Sequence, residues 1–377
     1  MNGEIRFIKG ELKGKGLPEY LSEDNFKKVM EYHCGMKEYE PTPLISLEGL
    51  AERLGVKGVL IKDESKRFGL NAFKALGGSY AVSRLVETNA LRPENRVFVT
   101  ATDGNHGRGV AWIAHKYGGK AYVFMPKGTV SARAEAIRNT GDAHVEVLDL
   151  NYDECVRHAT EFAERNGYFL VQDTGFEGYE DIPNNITLGY TTMAAEAAKQ
   201  LEEAGFERAT HMFLQAGVGS MAGGVLGYFV NDYAKRFGEI PVTAVMEADE
   251  AACIYKSIER GAYTVIEEDS NTIMAGLNCQ SPNIFTWPVL RDYASWFVSC
   301  PDFVTEMGMR QLANPVGNDE AVVSGESGAV GMGLLLSLFT DEYEEHKKAM
   351  GIDENSVILM FSTEGNTDPD GYDRICK

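Results

Sequence analysis

The sequence lacks the usual signs of a membrane protein or a metal-binding protein. Its 377 residues contain no run of about 18 consecutive apolar residues, the length that spans a bilayer. The amino terminus, MNGEIRFIKGELKGKG, is charged and has no apolar core, which argues against a conventional signal peptide. The six cysteines form neither a C-x-x-C pair nor a cluster with histidine at metal-ligand spacing. We therefore expect a cytoplasmic protein with reduced thiols and no metal site; whether Cys253 and Cys279 lie close together stays open.

Positive charge is also scarce. The chain has 36 lysines and arginines against 56 aspartates and glutamates, and its formal net charge is −20 at pH 7. Such a field repels nucleic acid and anionic membranes, so neither is an expected partner. Hydrophobic residues at 44% and charged residues at 24% are close to globular averages, and the length suits two domains. An enzyme or a binding protein for a small molecule fits this composition.

Short apolar segments alternate with helical patterns from residue 58 onward. Segments rich in β-branched and aromatic residues that end in glycine or polar turns predict strands. They lie within residues 58–65, 96–104, 120–128, 144–150, 168–175, 210–219, 241–249 and 356–366. The segments between them have apolar residues at helical spacing. This alternation predicts an α/β fold built from two doubly wound parallel-sheet domains.

Ligands of such sheets bind at the carboxyl ends of the strands. Five polar or glycine-rich clusters follow the predicted strands directly, and we expect them to line one cleft. They are residues 103–107, 173–174, 217–224, 247–249 and 362–366.

One of these clusters, in QAGVGSMAGGVLG, is a glycine-rich turn between a strand and a helix. Its free backbone N–H groups and the helix dipole favour an anion, most plausibly a phosphate. No Gly-Lys-Ser/Thr follows, so it is not a Walker A loop. We expect a cofactor's phosphate at Gly217, Val218, Gly219, Ser220 and Met221, the alternative being a tight turn without a ligand.

Lys74 stands in an apolar segment, NAFKALGG, that predicts the start of a helix capped by Asn71. Desolvation there would lower the pKa of the lysine and let it hold a carbonyl as a Schiff base, the alternative being an ordinary snorkelling lysine. A reactive lysine together with a phosphate turn indicates pyridoxal phosphate. Lys74 would hold its aldehyde, Asn105 would bond its phenolic oxygen and Ser362 its pyridine nitrogen. Because a hydroxyl leaves that nitrogen unprotonated, elimination is favoured over transamination.

These motifs resemble a known family. NAFKALGG, DGNHG, GVGSMAGG and STEGN are together similar to the fold type II pyridoxal phosphate enzymes, which include threonine and serine dehydratases and cysteine synthases. Segments from residue 62 to residue 368, about four fifths of the chain, resemble the diaminopropionate ammonia-lyases more closely. The resemblance implies release of pyruvate and ammonia from 2,3-diaminopropionate by a homodimer. It also implies a large cofactor-binding domain, residues 1–87 and 191–377, and a small substrate-side domain, residues 88–190.

Asp103 distinguishes the chain from the dehydratases, which have a hydroxyl residue there that contacts the substrate carboxylate. A carboxylate would instead attract a cationic β-ammonium group and could act as a base, the alternative being an Asx-turn residue. The resemblance places Lys74 and Asp103 on opposite faces of the cofactor, so that both the L and the D isomer could react. Asp173 suits a contact with the substrate amine or a cap equally well, His106 is expected to be structural, and Glu326 stays undecided.

Two rival functions remain at this point. One is a serine or threonine dehydratase, or a β-replacement enzyme, of the same fold. The other is a non-catalytic sensor of a phosphorylated metabolite, which would not hold pyridoxal phosphate on a lysine.

Overall fold

The computed structural model describes residues 3–268 and 270–377. Its strands are β1 Arg6–Lys9, β2 Leu44–Ser46, β3 Gly58–Asp63, β4 Val97–Ala101, β5 Lys120–Met125, β6 Ala143–Val147, β7 Phe169–Leu170, β8 His211–Gln215, β9 Val242–Ala248, β10 Trp296–Cys300 and β11 Val357–Ser362. Its α-helices are α1 Glu23–Cys34, α2 Glu48–Leu54, α3 Lys74–Thr88, α4 Asn105–Lys116, α5 Ser131–Arg138, α6 Tyr152–Asn166, α7 Asp181–Glu203, α8 Ser220–Arg236, α9 Cys253–Glu259, α10 Trp287–Tyr293, α11 Asp302–Ala313, α12 Val330–Leu338, α13 Glu344–Met350 and α14 Pro369–Cys376. Across the described ranges, no helix is long and apolar enough to cross a membrane.

The strands form two sheets. The larger has seven strands in the order β1-β10-β9-β8-β11-β3-β2, and the smaller has four in the order β6-β5-β4-β7. The small sheet is parallel throughout, and the large sheet is parallel except at its edges, where β1 and β2 pair antiparallel with β10 and β3. The predicted α/β fold with parallel sheets is confirmed. The sequence pattern missed β1, β2 and β10, and the first two are edge strands of only four and three residues.

Helix α3 lies against α4 and α7 with their backbones almost in contact. A Cβ atom built on Gly109 of α4 would lie 3.0 Å from Ala75 Cα, and one on Gly189 of α7 would lie 2.4 Å from Leu76 O. Glycine allows this approach, because a Cβ atom at position 189 would overlap the Leu76 carbonyl and one at position 109 would push the helices slightly apart. The contact fixes the first turn of α3, which carries Lys74, relative to the first turn of α4.

The entry into α3 differs from the prediction. Asn71 is not the N-cap: the helix begins at Lys74 with Phe73 as its N-cap, and Asn71 has a left-handed backbone with φ of 60°. The side chain of Asn71 instead donates to the carbonyl of Asn366 at 2.9 Å, and the N–H of Phe73 donates to the carbonyl of Thr363 at 3.0 Å. The segment after β11 therefore holds the chain that leads to Lys74.

A buried ionic cluster lies between β3, α7 and the turn that follows β3. Its members are Lys62, Glu64, Arg67 and Glu196, each between 0% and 3% exposed. Glu196 accepts from Arg67 through both carboxylate oxygens, at 2.9 and 2.7 Å, and lies 2.6 Å from Lys62 Nζ. Arg67 also donates to Glu64 at 2.8 Å. Two cations and two anions make the cluster neutral, as burial requires.

Candidate active site

One cavity, of about 840 Å³ including the part open to solvent, lies where the turns after β4, β8 and β11 meet α3. Its volume is in the range of small-molecule sites. All the predicted site residues except Ser362 line it, namely Lys74, Asp103, Asn105, Asp173, Gly217, Val218, Gly219, Ser220 and Met221. Four of the five predicted clusters contribute. Glu247, in the fifth, is fully buried and accepts the N–H groups of Ile254 and Tyr255 at 2.8 and 2.6 Å.

Lys74 and Asp173 form an ion pair inside the cavity, with 2.5 Å between Nζ and Oδ2. Burial disfavours the charged lysine, but the charge of Asp173 outweighs it and raises the pKa of Lys74 above its usual range. The expectation of a lowered pKa for Lys74 is therefore wrong. Burial alone would lower this pKa, but the nearby carboxylate of Asp173 reverses the effect. Burial likewise disfavours the Asp173 carboxylate, yet the charge and the hydrogen bond of Lys74 hold the pKa of Asp173 at about 2.

Asp103 follows β4 in the turn that starts α4. The turn is held by Thr102, whose hydroxyl accepts the N–H groups of Gly104 at 2.9 Å and Gly107 at 3.2 Å. Within the described part of the chain, the half-buried carboxylate of Asp103 accepts no hydrogen bond, so it is not used as an Asx-turn residue. Burial raises the pKa of Asp103 to about 7, with Arg133 opposing the rise. A carboxyl group with that pKa can take up or release a proton near neutrality.

Asn105 is the first residue of α4 and donates from Nδ2 to Glu364 Oε2 at 2.6 Å. Glu364 also accepts the backbone N–H of Ser327 at 3.2 Å, which fixes its carboxylate. An amide nitrogen has two hydrogens, so Asn105 keeps one for a ligand. The neighbouring His106 donates from Nε2 to the carbonyl of Val171, 2.8 Å away, and burial lowers its pKa. This contact agrees with a structural role for the imidazole.

The glycine-rich turn leads into α8, which begins at Ser220. Gly219 has a left-handed backbone with φ of 89°, and a Cβ atom there would lie 2.8 Å from Leu290 Cδ1. A Cβ atom on Gly217 would lie 2.8 Å from Cys279 Sγ. The turn therefore offers backbone N–H groups at a helix N-terminus with no side chain in front of them, which suits the phosphate of pyridoxal phosphate.

Ser362 lies behind the cavity wall. It is 1% exposed, and its hydroxyl donates to Ser324 Oγ at 2.8 Å. The next residue, Thr363, lines the cavity, and its hydroxyl accepts from Gln215 Nε2 at 2.9 Å. The structure thus brings the hydroxyl of Thr363, rather than that of Ser362, to this side of the site.

Comparisons with known proteins agree with this arrangement. The model of the pyridoxal-phosphate dependent enzyme family matches residues 36–360. Diaminopropionate ammonia-lyase from Escherichia coli K12 is 45% identical over 93% of this chain and 91% of that protein, and the enzyme from Salmonella typhimurium LT2 is 46% identical over 92% and 91%. The chain belongs to the diaminopropionate ammonia-lyase family. A crystal structure of the Escherichia coli ammonia-lyase, in complex with an aminoacrylate-PLP azomethine reaction intermediate, superposes with a TM-score of 0.92 at 43% identity and covers 99% of this chain and 96% of that one.

The cofactor of this diaminopropionate ammonia-lyase family member is accordingly pyridoxal phosphate. The cavity residues that were not predicted from its sequence include Arg133, Tyr152, Gln215 and Cys279. Arg133 lies in the first turn of α5, after β5, and Tyr152 begins α6, after β6. Both follow the carboxyl end of a strand, which is where ligands of parallel sheets bind. The criterion that predicted the five clusters therefore also predicts these two residues when β5 and β6 are included. Cys279 and Cys253 are both free thiols.

Proposed function

We propose that the chain catalyses α,β-elimination of ammonia from 2,3-diaminopropionate. The substrate loses its α-proton and its β-amine, and water then replaces the remaining amine to give pyruvate and a second ammonia. The observation that carries the proposal is Asp103, a carboxylate that accepts no hydrogen bond from the described residues, shares the cavity with Lys74 and has its pKa raised by burial to about 7. The similarity to the diaminopropionate ammonia-lyases of Escherichia coli and Salmonella typhimurium supports it.

Lys74 and Asp103 are the proposed catalytic residues. When bound, pyridoxal phosphate supplies an electron sink for the pair of electrons left at Cα. Lys74 holds the cofactor's aldehyde at rest and, once released, takes the α-proton of the L isomer through Nζ. Asp103 takes the α-proton of the D isomer through a carboxylate oxygen. The two bases come from different secondary-structure elements, α3 and the turn after β4, which supports approach from two sides.

The leaving β-nitrogen must depart as neutral ammonia, because amide ion is far too basic. It therefore has to be an ammonium group when the carbon–nitrogen bond breaks. Anionic oxygens favour the protonated form of a nearby amine. We assign this role to Asp103 and Asp173, both of which line the cavity.

The remaining residues hold the cofactor. The turn from Gly217 to Met221 binds its phosphate through backbone N–H groups. Asn105, oriented by Glu364, donates its second amide hydrogen to the phenolic oxygen. We assign the hydroxyl near the pyridine nitrogen to Thr363, since the hydroxyl of Ser362 is engaged by Ser324.

The proposal also covers the domain boundaries, the cellular location and the oligomeric state. Residues 1–87 and 191–377 form the large cofactor-binding domain, and residues 88–190, which include the four-stranded sheet, form the small substrate-side domain. The enzyme acts as a cytoplasmic homodimer in amino-acid degradation. Size-exclusion chromatography with light scattering tests the dimer.

The test of the proposed function is pyruvate release from D- and L-2,3-diaminopropionate, with serine as the rival substrate. The wild-type protein is expected to prefer diaminopropionate; faster release from serine would favour a dehydratase. In Asp103→Asn, turnover of the D isomer is expected to fall about 10²- to 10⁴-fold, as is typical when a general base is lost, and turnover of the L isomer less. Asp142→Asn, which changes an exposed carboxylate at the start of β6, is the matched control. Unchanged turnover of both isomers in Asp103→Asn would remove Asp103 from the mechanism.

A further inference from the structure

Arg133 is a positively charged side chain in the wall of the cavity. It lies in the first turn of α5, lines the cavity, and its side chain is only 11% exposed. Among the side chains and backbone atoms that the structure describes, none accepts a hydrogen bond from its guanidinium. The carboxylate with which it is ion-paired, Glu326, is 4.0 Å away, which is beyond hydrogen-bond distance. None of its guanidinium nitrogens is fully buried, so its five N–H donors reach the open cavity, where an anionic ligand would supply the acceptors.

The position of Arg133 relates it to the substrate side of the cavity. A Cβ atom built on Gly104 would lie 3.1 Å from Arg133 Cδ and 3.4 Å from its Cβ, so the arginine side chain packs directly on the turn that carries Asp103. The positive charge of Arg133 also opposes the rise in the pKa of Asp103 that burial causes, which is consistent with this contact. The phosphate turn, Gly217 to Met221, follows β8 of the seven-stranded sheet, whereas Arg133 follows β5 of the four-stranded sheet.

The other cations that line the cavity are already committed. Lys74 is paired with Asp173 at 2.5 Å and is the proposed anchor of the cofactor. His106 has its pKa lowered by burial and contacts a backbone carbonyl, so it is uncharged at neutral pH. Among the lining residues that the structure describes, Arg133 is thus the permanent cation left for an anionic part of the substrate.

The substrate requires such a cation because of Asp103. Where a hydroxyl stands at this position it can donate to a substrate carboxylate, whereas an aspartate repels it. We propose that Arg133 binds the α-carboxylate of the substrate, as a planar, bidentate partner, and that it is a specificity-determining residue of this enzyme. This inference rests on the proposed function, because it takes the substrate to be an α-amino acid bound beside Asp103.

Glu326 lies too far from Arg133 to occupy its hydrogen-bond donors, so the guanidinium remains available to a ligand. Burial and the nearby charge of Glu364 raise the pKa of Glu326 to about 7, so that this carboxyl is partly protonated near neutrality. A carboxyl group 4.0 Å away and partly neutral orients the guanidinium without saturating it.

The test compares two ligands that differ only in the carboxylate. 2-Methyl-2,3-diaminopropionate has no α-proton and is not eliminated, and 1,2-diaminopropane is the same molecule with hydrogen in place of the carboxylate. Their dissociation constants are measured on the cofactor-loaded enzyme from the change in visible absorption. Arg133→Gln is expected to weaken binding of the amino acid about 10- to 100-fold, the usual loss for a charge-assisted hydrogen-bonded pair, and binding of the diamine less than about twofold. Arg133→Lys keeps the positive charge but loses the planar, bidentate geometry. Its affinity for the amino acid is expected to lie between those of the wild type and Arg133→Gln.

Arg138→Gln is the matched control, since Arg138 lies on the same helix, is exposed and pairs with Glu135. It removes the same charge and should change neither dissociation constant. Equal weakening of both ligands by Arg133→Gln would show that Arg133 acts only through Asp103 or the fold, and unchanged binding of both would remove it from recognition; either result overturns the inference. If Arg133→Gln fails to hold the cofactor, the Arg133→Lys comparison decides. The proposed function fails separately, when the wild-type enzyme releases no pyruvate from diaminopropionate; serine and ethanolamine then serve as the matched ligand pair.

Discussion

Glu196→Gln is the sharpest test of the buried ionic cluster that supports the approach to Lys74. The carboxylate accepts from Arg67 at 2.9 and 2.7 Å, from the hydroxyl of Tyr39 at 2.9 Å, and lies 2.6 Å from Lys62 Nζ. Glutamine has the same shape but no charge, and its amide nitrogen would face at least one of these donors. The two cations would then share Glu64 alone, and a net positive charge would stay buried.

Breaking a buried ion pair by removing one partner typically costs about 3–5 kcal/mol, and we expect Glu196→Gln to lower the free energy of unfolding by that amount. Glu203→Gln is the control, because it lies on the same helix in an exposed pair with Lys199 at 3.5 Å. Such a surface pair is worth less than about 0.5 kcal/mol. The double variant Glu196→Gln/Lys62→Met restores neutrality and should recover part of the loss.

Urea unfolding at a fixed, saturating cofactor concentration measures these differences, provided the m-value stays constant. The lowered pKa of Glu196 adds a second signature. A group with a depressed folded pKa stabilises above its unfolded pKa of about 4.3 and loses that contribution as the pH falls through the folded pKa, so wild type and variant should converge in acid. A loss below about 1 kcal/mol, or a double variant no more stable than Glu196→Gln, would refute the role of charge balance.

Three further predictions concern the cavity. Lys74→Ala is expected to abolish turnover of every substrate and the borohydride-dependent attachment of cofactor seen by mass spectrometry; persisting attachment would refute the anchor. Gly219→Asp is expected to weaken cofactor affinity in equilibrium dialysis, because a Cβ atom there meets Leu290 Cδ1 at 2.8 Å and the carboxylate repels phosphate, and unchanged affinity would remove the phosphate from this turn. Turnover of the D isomer is expected to rise as the pH increases through about 7, where Asp103 loses its proton, and a pH profile shared by both isomers would contradict separate bases.

The sequence predicts the parallel core of this fold because its strands are marked by local chemistry. Runs such as residues 120–125 and 357–362 combine β-branched or aromatic residues with a following turn, and both are strands. Residues 6–9 and 44–46 carry no such pattern, since a short edge strand is defined by the neighbour with which it pairs. The position after a strand likewise pointed to Asp103 and the phosphate turn, and a charge in an apolar segment pointed to Lys74, but no pattern in the sequence reports side-chain direction.

Contacts between distant residues account for the errors. The pKa of Lys74 is raised by Asp173, which lies 99 residues further along the chain, and the N-terminal approach to α3 is held by residues after β11. For Ser362, which the sequence favours for the pyridine nitrogen, the hydroxyl donates to Ser324, 38 residues earlier in the chain. Each of these contacts depends on the tertiary fold rather than on local propensity.

The glycine contact between α3 and α4 has a consequence for engineering this enzyme. Because Gly109 meets the backbone of Ala75 with no side chain between them, rotamer changes cannot absorb any alteration in the spacing of the two helices. A library aimed at new substrates should therefore leave residues 75 and 109 invariant and diversify positions 133 and 152, on α5 and α6. Selection would then act on substrate specificity, while the residues that bind the cofactor stay unchanged.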